Sequence, residues 1–208
     1  LSWTEYEGER LLQLNYQFWF TRRPPDGGLD PYAGRLDGLI WRVTLKPNGN
    51  VLTYDSIHPC GCYHKVYPVD PDIQPRRPEE AGQPVYYPDP VPDARTERVQ
   101  LTLAPDTHYV VDVNEYDADE VPERRYRLRT ADTLRRLPDG RGYGSLYDRR
   151  GMVPGTRRGE RWYLWPLGVP SAGAMRQPGH HAIAFIGKRH FDDPDVLEQV
   201  LEPRPYPR

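Results

Sequence analysis

The densest cluster of metal-ligating and redox-capable side chains lies in one element, His58-Pro59-Cys60-Gly61-Cys62-Tyr63-His64. His58, Cys60, Cys62 and His64 recur at a spacing of two, and both cysteines of the chain are among them. In an extended strand that spacing sends every such side chain to one face. Thiolate and imidazole together suit a transition metal, namely zinc, copper or iron, whereas calcium would call for oxygen ligands. Fully extended, the element spans about 20 Å at about 3.3 Å per residue. One metal with bonds of about 2.0–2.3 Å does not reach both ends. Pro59 and Gly61 permit a bend, so two or three ligands from the element, completed from elsewhere, are expected. His180, His181 and His190 could complete the set if their strand lies beside it. The C-x-C spacing differs from the C-x2-C of zinc knuckles.

Two other chemistries fit the same residues. Cys60 and Cys62 can form a redox pair, because a disulfide across so small a ring is strained and easily reduced, and a nearby histidine can lower a thiol pKa. Alternatively the two cysteines form a local structural bridge, or pack as small hydrophobes, and long loops contact other protein subunits. Other constellations are weaker. His190 with Asp192 and Asp193 is read as a solvated neighbourhood in which Asp193 caps a helix. Ser145, in Gly142-Tyr143-Gly144-Ser145, has no partner base marked in the sequence. Trp162, Tyr163 and Trp165 alternate as in a strand, which places at least one of Trp162 and Tyr163 in the core.

The elements that must position these residues read as strands. Leu12, Leu14, Tyr16, Phe18 and Phe20 alternate with polar residues over 11–20, the period of a strand with one buried face. Leu39, Trp41, Val43 and Leu45 do the same. Lys46-Pro47-Asn48-Gly49-Asn50 is a turn, and 51–58 returns as the second arm of a hairpin. Further strands are expected over 98–103, 108–116, 124–129, 161–167 and 180–187. The stretch 68–93 is a Pro-rich surface loop, since proline lacks the ladder donor. A short C-terminal helix is expected over 193–202, with Asp193 as cap, Pro194 in the first turn and an apolar stripe of Val196, Leu197, Val200 and Leu201. The expected architecture is mainly β over one domain, 1–208: an antiparallel β-sandwich or open barrel with long Pro-rich loops.

Composition narrows the partners. With 28 basic and 30 acidic residues the net charge is -2, which argues against nucleic acid. The stretch 135–161, with Arg135-Arg136, Arg149-Arg150 and Arg157-Arg158, is locally basic. It reads as a solvated loop, with a docking patch for an anionic partner as the alternative. No apolar run reaches the length of a transmembrane helix, and no secretory signal is visible. The sequence begins at Leu1, so an upstream signal or lipid anchor stays open. The 24 prolines would suit disorder, but 15 Tyr and 5 Trp favour a packed fold.

The run Gly38-Leu39-Ile40-Trp41-Arg42-Val43-Thr44-Leu45, followed by Ile57-His58-Pro59-Cys60-Gly61-Cys62-Tyr63-His64, resembles segments of uncharacterised bacterial proteins with an H-x-C-G-C-Y motif, some exported or lipid-anchored. The resemblance spans roughly the first third of the chain. It implies a bacterial origin and the cell envelope or periplasm, and it carries no mechanism. The leading expectation is a metal-binding envelope domain with Cys60, Cys62 and at least one of His58 or His64 as ligands. His181 and His190 are further candidates. An interaction protein and a thiol oxidoreductase remain the alternatives.

Overall fold

The computed structural model describes residues 1–60, 63–77, 91–117, 124, 126–167, 171–180 and 193–205. The fold is mainly β, with antiparallel sheets. Strands β1 (Ser2–Tyr6), β2 (Glu9–Arg23), β3 (Gly34–Leu45), β4 (Val51–Ile57) and β5 (Lys65–Pro68) form a five-stranded meander in sequence order. The first hairpin turns on Glu7 and Gly8, both at positive φ, the turn geometry whose twist matches that of paired strands. The second turns where expected, with Gly49 at positive φ and Asn48 Oδ1 accepting the Asn50 N–H at 2.9 Å.

Alternation along the strands makes two buried faces. Leu39, Trp41, Val51, Tyr54 and Tyr67 form one cluster, closed by Val110 and Val113. The latter come from the hairpin of β7 (Val99–Leu103) and β8 (Val110–Glu115). Leu11, Leu52 and Val66 form another with Ile73 and the C-terminal helix Val196–Val200. Burial of each large aliphatic side chain here contributes about 1.5–3 kcal/mol. Strand β6 (Ile73–Pro75) pairs with β11 (Leu201–Pro203), and β9 (Leu137–Pro138) with β10 (Tyr143–Gly144).

Several expected elements change. Strand β6 lies within the Pro-rich stretch expected to be loop. The expected C-terminal helix shortens to Val196–Val200 because Leu201 leaves it to pair with Pro75. The N-cap position falls on Asp195, without a side-chain capping bond, rather than on the expected Asp193, whose Oδ1 instead accepts the Asp195 N–H at 3.0 Å. Strand β8 starts at Val110 rather than at 108, since His108 takes a positive φ in the hairpin loop. Arg124 and 126–129 are not strand. The expected strand 180–187 lies, beyond His180, outside the described residues.

The aromatic run is the clearest correction. Arg161–Leu164 is a helical turn continued by a 3-10 turn, Trp165–Leu167. Trp162, Tyr163 and Trp165 are 66%, 69% and 63% exposed, so none is core. Helical N–H groups of Trp162 and Tyr163 find the carbonyls of Gly159 and Glu160, at 3.1 and 2.9 Å, and this local pairing overrides the period-two pattern. Replacing Trp162 by Ser should therefore change the unfolding free energy by no more than about 0.5 kcal/mol in urea titrations. A loss of several kcal/mol would return it to the core. Among the described residues no helix is long and apolar enough to cross a membrane.

Candidate functional site

The element His58 to His64 is a connection between strands rather than a strand. Ser56 pairs with Lys65, so the chain must reverse between them, and the rule that alternate residues share a face lapses. Tyr63 takes a positive φ in this reversal. The two histidines consequently meet different partners. His64 Nε2 lies 2.9 Å from Asp55 Oδ2, and Arg42 Nε donates to the same oxygen at 2.7 Å. Burial by itself would raise the Asp55 pKa, but Arg42 and His64 outweigh it and hold the carboxyl below its ordinary value. This cluster has the character of a structural ion network.

His58 instead lines a cavity of about 310 Å³, shared with Arg23, Asp37, Cys60, Arg158 and Glu160. Its ring is 3% exposed, and Nε2 is buried without a hydrogen-bond partner. Burial pushes its pKa down to about 4, so the ring is neutral at pH 7. Edge contacts with Tyr63 and Tyr109, at centroid distances of 5.6 and 5.0 Å, hold the ring in place.

Strand β3 supplies the cavity's anion. Asp37 is buried and shared between two cationic or donor groups. Arg158 Nη2 donates to Oδ1 at 2.6 Å, and His108 Nδ1 lies 2.7 Å from Oδ2. Desolvation pushes the Asp37 pKa up, yet the Arg158 charge and these hydrogen bonds bring it below the ordinary value. Phe20 of β2 stacks on His108 at 3.8 Å and 7°, fixing the imidazole plane. Glu160 accepts the Gly173 N–H, and burial raises its pKa against that bond and Arg158. Gly173 is required by contact: a Cβ there would come within 2.8 Å of Arg158 Cδ and collide with Glu160.

Arg23, at the end of β2, is the exception among these charges. Its guanidinium lies over the rings of Tyr32 and Tyr109, at 5.6 and 5.7 Å, and its pKa is raised, the neighbouring Tyr109 and Asp37 outweighing burial. It forms no ion pair with a carboxylate among the described residues. Arg158 and Glu160 come from the basic stretch read as a solvated loop, and both are buried. No residue spacing marked Arg23, Asp37, His108, Arg158 or Glu160 as neighbours, because they come from separate parts of the chain. The one local hint was an acidic residue, Asp37, just ahead of the apolar run Leu39-Ile40-Trp41.

Of the candidate ligands, the structure places His58 and Cys60 at one cavity and His64 at the Asp55 cluster. Cys62, His181 and His190 lie outside the described residues. Cys60 carries no free thiol. Among the described residues, no group of three or more His, Cys, Asp or Glu could hold a metal ion. No protein-family model, curated protein or solved structure matches this chain.

Proposed function

We propose that the chain binds a small carboxylate in the cavity beside Cys60. The observation that carries this reading is the Arg23 guanidinium, without a carboxylate ion pair among the described residues, in the same cavity as the buried Nε2 of His58, which has no hydrogen-bond partner among them. A guanidinium offers two parallel donors that match a carboxylate. Asp37 acts on Arg23 only through its charge, since Arg158 and His108 occupy its oxygens. A volume of about 310 Å³ is at the small end of ligand pockets.

Thermal unfolding with acetate, propionate, succinate and inorganic phosphate tests the reading. A carboxylate at a hundred times its Kd should raise Tm by about 5–10 °C. Arg23→Met should remove that rise. No rise with any of these anions would overturn the proposal.

A transition-metal site is the second reading, and its support is the open ring nitrogen of His58. A neutral imidazole is the form zinc, copper and iron accept. Elemental analysis of protein purified without chelator or nickel resin decides it. Near-stoichiometric metal that disappears in His58→Ala would carry the metal reading, and metal-free protein would count against it.

A further inference from the structure

We propose that the carboxylate bound in this cavity is that of an α-amino acid, whose ammonium group is received by Glu160 while Arg23 takes the carboxylate. This rests on the carboxylate-binding reading of the same cavity and names the class of ligand. Arg23, Asp37, Arg158 and Glu160 all line the cavity. Asp37 and Arg158 are bonded to one another at 2.6 Å. Arg23 and Glu160 are the remaining charges, and they are of opposite sign. Arg23 acts on Glu160 through its charge, yet neither forms an ion pair among the described residues. Opposite charges held apart in one cavity each lack a contact partner. A zwitterion supplies both partners at once. A simple carboxylate would answer Arg23 and leave Glu160 facing a second anion.

Local structure presents the Glu160 carboxylate to the cavity. The Glu160 N–H donates to the Pro31 carbonyl at 3.0 Å, and its own carbonyl accepts the N–H groups of Tyr163 and Leu164 at 2.9 and 3.1 Å. The side chain thus stands at the head of the helical turn Arg161–Leu164. The Gly173 N–H donates to Oε1, and Oε2 has no hydrogen-bond partner among the described residues. Glu160 is 4% exposed, and burial raises its pKa against the pull of Gly173, Arg158, Arg23 and Arg176. A carboxylate in that state gains from a cation brought into contact. Arg176 does not fill this role, because it donates to the carbonyls of Ser171, Ala172 and Ala174 and does not line the cavity. Leu164, one turn after Glu160, lines the same cavity with Ala172 and Pro59, which gives an aliphatic side chain an apolar wall. One carbon separates the two charges of an α-amino acid, a spacing that suits a cavity of about 310 Å³.

The test compares two ligands of one shape, L-leucine and isocaproate, which is leucine without its ammonium. Isothermal titration calorimetry on the whole chain gives both Kd values. In wild type leucine should bind about tenfold tighter, the size of one charge-assisted contact. Glu160→Gln keeps an acceptor for the Gly173 N–H and should bring leucine down to the affinity of isocaproate, leaving isocaproate no weaker. Arg23→Met should weaken both ligands. Leucine no tighter than isocaproate in wild type overturns the amino-acid assignment, and this comparison needs no variant to fold. An unchanged ratio in a folded Glu160→Gln overturns it as well. If isocaproate still binds in either case and weakens in Arg23→Met, carboxylate binding stands alone. If neither ligand binds the wild type, the binding reading falls too.

Discussion

Replacing Asp37 by Ala should cost the fold about 3–5 kcal/mol, the largest effect expected of any single substitution in the cavity. Arg158 Nη2 donates to Asp37 Oδ1 at 2.6 Å, and both side chains are buried. Removing the carboxylate leaves a buried guanidinium bonded to a carbonyl, that of Leu36 at 2.9 Å, without its hydrogen-bonded counter-charge. The cost of an uncompensated buried charge exceeds the net worth of the pair, since desolvation of both partners offsets most of their attraction. Changing both residues, as Asp37→Ala with Arg158→Met, should therefore recover most of the loss. Urea unfolding followed by tryptophan fluorescence measures both variants. A single variant within about 1 kcal/mol of wild type, or a double variant no better than the single, would show that the pair is not what organises this wall.

Acidification should destabilise the chain by about 3 kcal/mol through His58 alone. The folded imidazole is held at a pKa of about 4 by burial, against an ordinary value of 6.5. As pH falls through 6.5 the unfolded chain takes up a proton that the folded chain refuses until about 4. The contribution is thus complete above 6.5 and is lost across that window. Asp37 and Asp55, whose pKa values are lowered, hold their contributions above the ordinary carboxylate pKa and lose them at more acid pH. Glu160 tilts the other way, because its raised pKa favours the folded state in acid and loses that advantage as pH rises. The His58→Gln variant separates the terms. Its unfolding free energy should be flatter than that of wild type between pH 6.5 and 4, and parallel curves would show that the ring is solvated after all.

The meander was legible in the sequence because its signal is local. Period-two alternation in 11–20 and 39–45, and the turn at Gly49, each report on a few neighbouring residues. The helical turn at Arg161 was misread for the same reason. Trp162, Tyr163 and Trp165 mimic a strand in spacing, and what decides against it is the hydrogen bonding of their backbone to Gly159 and Glu160. The site was half legible. The element at His58 was singled out for its side chains, and the bend that Pro59 and Gly61 permit was foreseen, but not that the reversal between Ser56 and Lys65 would send His58 and His64 to separate partners. Arg158 looked like one more arginine in a basic loop. Its burial against Asp37 depends on contact between residues 121 positions apart, and no pattern in either neighbourhood encodes that.

The closure of the sheet by the end of the chain has a consequence for synthesis. Thr4 Oγ1 donates to the Pro194 carbonyl at 2.8 Å across 190 positions, and Val196, Leu197 and Val200 cover Leu11, Leu52 and Val66. The ribosome makes the covered face first and the cover last. At about 5–20 residues per second, the apolar face completed by Val66 waits about 7–26 s for its helix. During that interval the nascent meander presents a greasy surface to whatever lies near the exit tunnel, so a holding chaperone should bind truncated nascent chains ending before Val196 and release those that carry the helix.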